Sequence, residues 1–338
     1  MTTLWDTTGA AVVKALAAER RSGGAVTSGN ALTLVIVLDE ADVPEVEAAV
    51  TIAASKHPMR MLLVIRRQID APIPRLDAEV LLGGRLGPGE AVVMRMYGRL
   101  ALHAESVTLP LLAPDAPVVT WWYGTPPDRI ATDPLGVFAD RRITDVTRAV
   151  DPMAALQKRG LDFAPGDTDL AWTRITRWRA ALASVFDGIQ DTAVATVVHG
   201  DNTDPSALLL AGWLSSRFGF YVPVEAPADA PAWRHERINS VTITLSRGST
   251  LQAIPDGERL LIRRENQPDS AAPFTDRSLG ELLAEELRRL EEDKVFADSL
   301  GAVCNLDGLC DRPGDRTHIW SDPALADTQQ SVPSGGMA

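Results

Sequence analysis

The chain has 338 residues, 45% apolar and 23% charged, with 33 basic against 45 acidic side chains for a net charge of −12. That length and apolar content support a buried core in roughly two domains, and exclude a wholly disordered chain, a collagen-like repeat and a disulfide-stapled scaffold. The negative charge is uneven: residues 1–160 carry 17 basic and 18 acidic residues, residues 161–338 carry 16 and 27. An acidic body opposes the cationic face that a phosphate backbone or an anionic membrane selects, so nucleic acid and membrane are poor partners.

The N-terminus shows no basic segment followed by an unbroken apolar one, and it carries Asp6. Apolar runs such as Leu32–Leu38 have strand length, far short of the roughly 18–20 residues of a spanning helix. Cys304 and Cys310 are the two cysteines, too few for a disulfide framework. A cytoplasmic location is expected.

In chain order, helical spacing of Val12, Val13, Leu16 and Ala17 predicts a helix over Thr8–Arg21. Leu32–Leu38 reads as a strand buried on both faces. Val43, Val46, Ala49, Val50 and Ala53 predict a helix over Asp42–Lys56, which Pro58 ends at His57. Met59–Ile65 is the next strand. Strands at Ala78–Leu82 and Ala91–Met96 flank a glycine-rich turn, Gly83–Gly89, and a helix over Leu100–Leu111 and a strand at Val118–Trp122 follow. The alternation predicts an N-terminal layered α/β domain with a parallel or mixed sheet over 1–155.

A long helix is predicted over Thr168–Phe186, capped by Asp167. A strand at Ala193–Val198, a helix at Pro205–Arg217, strands at Ile238–Leu245, Ser249–Ile254 and Arg259–Arg263, and a helix opened by the capping box Ser278–Glu281 complete a smaller α+β domain over 165–300. Residues 301–338 read as an acidic, disordered tail.

The catalytic motifs are missing. Gly83–Gly89 lacks the lysine and hydroxyl of a P-loop and does not match G-x-G-x-x-G, so it reads as a hairpin connection. The five histidines are scattered, and the cysteine pair has no second pair to close a zinc site. No nucleophile elbow or kinase set is present. No catalytic residue, cofactor or metal is therefore assigned.

Two stretches are unusual. Trp121, Trp122 and Tyr123 end a strand, and neighbours on a strand face opposite sides. Either both tryptophans are core, one on each face of a covered sheet, or one ring is presented at the sheet edge where α/β sites gather. Charge, glycine and proline concentrate over 133–142 and 165–174. Asp167 and Asp169 suit a helix start, whereas Arg141 and Arg142 could hold a carboxylate or phosphate.

These stretches carry a family resemblance. Asn30–Val35, Lys56–Arg60, Leu109–Leu112 running to Pro117–Val119, Trp121–Trp122, Pro126–Pro127, Asp133–Gly136, Asp140–Ile143 and Pro165–Arg174 occur in order over most of the chain. In these features the sequence resembles the glucose-6-phosphate dehydrogenase assembly protein family (OpcA-type), in its actinobacterial branch. The resemblance implies a non-catalytic factor that assembles or activates glucose-6-phosphate dehydrogenase and so supports NADPH production in the oxidative pentose phosphate pathway. Candidate partner contacts are Trp121, Trp122, Tyr123, Arg141, Arg142, Asp167, Asp169, Trp172 and Arg174, with Cys304 and Cys310 as possible redox residues. The alternative is a sugar-phosphate enzyme in which Arg141, Arg142 and Asp167 line an anion-binding cleft at the domain boundary.

Overall fold

The computed structural model describes residues 1–22, 30–186, 191–226, 237–265, 267–314 and 316–318. Strand β1 (Thr2–Leu4) leads into α1 (Gly9–Ser22), β2 (Leu32–Asp39), α2 (Val43–Lys56) and β3 (Met59–Arg67). Next come β4 (Arg75–Leu82), β5 (Glu90–Tyr97), the short helices α3 (Arg99–Leu102) and α4 (Glu105–Thr108), and β6 (Val118–Trp122). The middle of the chain supplies β7 (Arg141–Thr144), α5 (Pro152–Asp162), β8 (Asp167–Asp169), α6 (Leu170–Arg174) and α7 (Thr176–Phe186). Then follow β9 (Ala193–Gly200), α8 (Pro205–Phe218), β10 (Val224–Glu225), β11 (Ile238–Leu245) and β12 (Thr250–Asp256). The last elements are β13 (Arg259–Arg264), β14 (Ser270–Pro273), α9 (Leu279–Glu286) and α10 (Lys294–Cys304).

The first sheet has the order β1-β4-β5-β3-β2-β6-β7-β8. Its six strands from β5 to β8 run parallel, and the β4–β5 hairpin and β1 add antiparallel strands at one edge. In β2 and β3 the first seven residues are all buried. Their unbroken apolar character fits a parallel strand covered on both faces. Leu34 and Ile36 face α2 and α9, whereas Val35 and Val37 face α1 and the short helices after β5. Gly83–Gly89 closes the β4–β5 hairpin, as its sequence predicts, with Gly83 N–H donating to Gly89 O at 2.8 Å.

The second sheet has the order β10-β9-β11-β12-β13-β14 and is antiparallel except for the β9–β10 pair. Here the strands alternate: Val241, Ile243, Leu245, Leu251, Ala253, Leu260 and Ile262 point into a core with Trp178, Leu182, Leu209 and Leu210 of α7 and α8. The mixed α/β architecture thus follows the sequence reading, with a layered sheet first and an α+β unit after it.

Several boundaries differ. The helix expected over 100–111 breaks into α3, α4 and a 3₁₀ turn at Leu109–Leu111, because His103 leaves helical geometry and Pro110 has no N–H to donate. The long helix expected from Thr168 begins instead as β8, which pairs with β7, so the first sheet extends to Asp169 and beyond the expected boundary at 155–165. After the second sheet the chain crosses back: α9 packs on α2, where a Cβ at Gly280 would lie 2.6 Å from Ala49 O. The expected tail also starts too early. Residues 301–304 finish α10, Leu309 is buried, and Arg312 donates to the carbonyls of Gly160, Leu161 and Phe163. Residues 319–338 lie outside the described residues.

Trp121 and Trp122 are both core, 0% and 1% exposed. Trp121 lies with Tyr123 under α2 and α9, and Trp122 lies on the opposite face with Ile130 and Leu135. The edge presentation of one ring is therefore corrected: β6 is covered on both sides, so alternation sends the two rings into two cores. Trp121→Ala and Trp122→Ala should each lower unfolding free energy by about 3–5 kcal/mol, read by urea denaturation. A loss under about 0.5 kcal/mol in either variant would place that ring outside the core.

Candidate functional site

The motif over 165–174 begins with a backbone constraint. Gly166 has φ +92°, and a Cβ there would meet Asp140 O at 2.6 Å. Glycine thus lets the chain fold tightly against β7, which sets Asp167, Thr168 and Asp169 as the edge strand β8. From here to Arg174, Asp167, Asp169, Trp172, Thr173 and Arg174 each bond to a residue outside the segment.

Arg142 is fully buried and pairs through Nε with Asp167 Oδ1, while its Nη1 donates to Ala139 O at 2.9 Å and its Nη2 to Pro165 O. Asp167 also accepts from Ala164 N–H at 2.8 Å. Arg141 pairs with Glu286 on α9 and donates to Glu291 O at 2.7 Å. Glu286 in turn accepts from Thr173 Oγ1 at 2.7 Å. Asp169 caps α6 by accepting from Ala171 N–H at 2.8 Å, and its other oxygen accepts from Thr144 Oγ1 and Val146 N–H at 2.6 and 3.0 Å. The cap is thus Asp169, where the sequence pattern favours Asp167.

Trp172 donates from Nε1 to Asp293 Oδ2 at 2.8 Å, and Asp293 caps α10. The Arg179 guanidinium lies 3.5 Å from the Trp172 ring centroid, and burial pushes its pKa down to about 10. Arg174 grips Asp145 in bidentate geometry at 2.8 and 2.7 Å. Tyr123 is buried beneath the Arg148 guanidinium, 3.9 Å from its ring centroid.

Of the nine candidate contact residues, Trp121, Trp122, Tyr123, Arg141, Arg142, Asp167, Asp169 and Trp172 are buried, and Arg174 is half-buried. The eight buried side chains hold the fold together and present no surface to a partner in this structure. The anion cleft expected from Arg141, Arg142 and Asp167 is corrected on the same ground: Arg142 and Asp167 are spent on each other and on backbone groups, and Arg141 on Glu286 and Glu291 O. Cys304 and Cys310 are free thiols. Cys304 is buried beside Leu156 and Gly160, Cys310 lies 3.4 Å from Asp298 Oδ1, and burial pushes both pKa values up to about 11. At neutral pH both are therefore held as thiols, the less nucleophilic form.

A cleft of about 880 Å³ opens between the loop after β7, helices α6 and α7, and the second sheet. Five arginines line it: Arg148, Arg174, Arg177, Arg237 and Arg277. Four carboxylates share the wall, Glu45, Asp145, Glu258 and Asp276, together with Trp178 and Phe274. Of this group the sequence reading names only Arg174, because the other members come from segments far apart in the chain. Among the described residues no cluster of three or more His, Cys, Asp or Glu side chains gathers to hold a metal ion, and no helix is long and apolar enough to cross a membrane.

Two family models match the chain. One, the N-terminal domain of a glucose-6-phosphate dehydrogenase subunit, covers residues 50–160, and the other, the C-terminal domain of that subunit, covers 165–300. The chain belongs to the OpcA-type glucose-6-phosphate dehydrogenase assembly family. A search of curated proteins finds no match. Among solved structures, one from Mycobacterium avium described as a glucose-6-phosphate 1-dehydrogenase is 10% identical, covers 88% of this chain and 96% of its own, and has a TM-score of 0.42. A Clostridium difficile structure described as a dehydrogenase (MviM) is 6% identical, covers 81% and 96%, and has a TM-score of 0.33.

Two outcomes test the buried network. Arg142→Met leaves Asp167 buried without its cation and should cost about 3–5 kcal/mol, while adding Asp167→Leu should recover part of the loss. A single variant as stable as the parent in urea would show that the pair is not needed. The second outcome concerns pH. Burial pushes Asp167 up to about 6 against the charge of Arg142, and burial together with the Asp145 charge pushes Asp169 up to about 6. Asp133 and Asp162 are raised in the same direction by burial. A carboxyl whose folded pKa exceeds its unfolded 3.8 binds its proton more tightly when folded. Its stabilising share is complete below that unfolded value and is lost as pH rises through about 6. The urea midpoint should therefore rise from pH 7 to pH 5, and Asp169→Asn should flatten that rise; a midpoint falling over the interval would refute it.

Proposed function

We propose that this chain is a non-catalytic subunit that binds glucose-6-phosphate dehydrogenase and promotes its assembly or activity. The observation that carries the reading is the paired match to both domains of a glucose-6-phosphate dehydrogenase subunit over residues 50–300. On this reading the protein works in the cytoplasm, needs no cofactor of its own, and supports NADPH production in the oxidative pentose phosphate pathway.

A subunit that adds no catalytic group acts by stabilising an active conformation or oligomer of its partner. It shifts that population only by its differential affinity for the two states. Activation should then saturate with added subunit, and by linkage a substrate or NADP⁺ that favours the same state should tighten the complex. The acidic second half, 16 basic against 27 acidic residues, should speed association with a basic surface, giving an on-rate that falls with salt.

The test is titration into the cognate dehydrogenase, with activity and complex size followed together. Co-elution and saturable activation are expected. Separate elution at micromolar concentrations, with unchanged activity at every ratio, would refute the assignment.

A further inference from the structure

The cleft arginines differ in how far the protein satisfies them. Arg174 is held by Asp145, and Arg148 lies 3.5 Å from Glu45. Arg237 has Asp204 only at 3.7 Å, and Arg177 donates to Thr275 rather than to a carboxylate. Arg277 is half-buried, and its buried Nη1 has no hydrogen-bond partner among the described residues. The Arg277 guanidinium is pushed down by burial, with Glu285 opposing and the nearby Arg177 charge adding to the shift. Two like charges thus share one wall. Across the cleft Ser206 is 2% exposed, and its Oγ has no partner among the described residues.

The other lining groups are of a second kind. Glu258 and Asp276 form no ion pair among the described residues and are free to accept hydrogen bonds. Trp178 and Phe274 lie edge to face, with ring centroids 5.2 Å apart, and add an apolar surface. An unpaired guanidinium couple favours a dianionic phosphate, carboxylates accept from vicinal hydroxyls, and aromatic rings cover the C–H face of a sugar. The volume, about 880 Å³, lies in the range of small-molecule sites.

We propose that this cleft binds a phosphorylated sugar, its phosphate on Arg177 and Arg277 and its hydroxyls on Glu258, Asp276 and Ser206. The mixed wall excludes simpler ligands: a bare anion leaves the carboxylates opposed to it, and a neutral sugar leaves Arg277 unsatisfied. The inference does not depend on the dehydrogenase reading, because binding is measured on this chain alone.

Calorimetric titration of the full chain with a hexose monophosphate, inorganic phosphate and the free hexose tests it. The hexose monophosphate should bind saturably, at least about tenfold more tightly than either of the others, the value of one charge-assisted hydrogen bond. Arg277→Ala breaks no hydrogen bond among the described residues, so it should keep its near-UV dichroism yet weaken the ester about tenfold or more. Asp276→Asn and Glu258→Gln should narrow the gap between the ester and inorganic phosphate. Arg263→Ala, at an exposed pair with Asp269, should change nothing. No saturable heat with the ester, equal affinity for inorganic phosphate, or unchanged affinity in a folded Arg277→Ala would each overturn the proposal.

Discussion

The fold depends on a short segment that cannot stand alone. Strand β8 has three residues and α6 has five, far below the length at which either is stable in isolation. What fixes them is outward pairing: Asp167 to Arg142, Asp169 to Thr144 and Val146, Trp172 to Asp293, Thr173 to Glu286, and Arg174 to Asp145. Because most of these groups are buried, any partner removed leaves a charge or donor without water to replace it. The same residues tie the edge of the first sheet to α9 and to the start of α10. The two halves of the chain therefore share one polar junction rather than meeting across a flexible linker.

Burying so many ions is not the most stabilising choice. An apolar junction of equal volume would avoid the desolvation cost. What ion pairs add is discrimination, since Arg142 can sit only where Asp167 and two carbonyls converge. A three-residue edge strand has little apolar pattern to set its register, so paired charges on β7 and β8 supply that information.

Much of the remainder was legible from periodicity. β2, β3, α2, α8 and the antiparallel run β11–β13 show patterns that burial alone explains, and the Ser278–Glu281 capping box forms as its spacing predicts. β7 and β8 were not legible, because Arg141, Arg142, Asp167 and Asp169 read as exposed charge. Their side-chain partners lie 25 or 145 residues away, and no local pattern encodes such pairing. Helix α10 did carry a signal in Asp293 followed by Val295, Phe296 and Leu300, but the acidic surroundings of that segment hid it.

The same limit separates the two classes of arginine. In sequence, Arg141, Arg142 and Arg174 stand in conspicuous motifs, while Arg177 and Arg277 stand in ordinary surroundings. Folding reverses their availability. The motif arginines are enclosed by carboxylates and carbonyls, so a ligand could take one only by leaving a buried acid unpaired. The others line an open wall where neither guanidinium forms an ion pair among the described residues, so an incoming anion breaks no buried pair. Motif density marks where this chain spends charge on its own architecture, and charge remains for a ligand where the topology brings Arg177 and Arg277 together without a direct ion pair to either among the described residues.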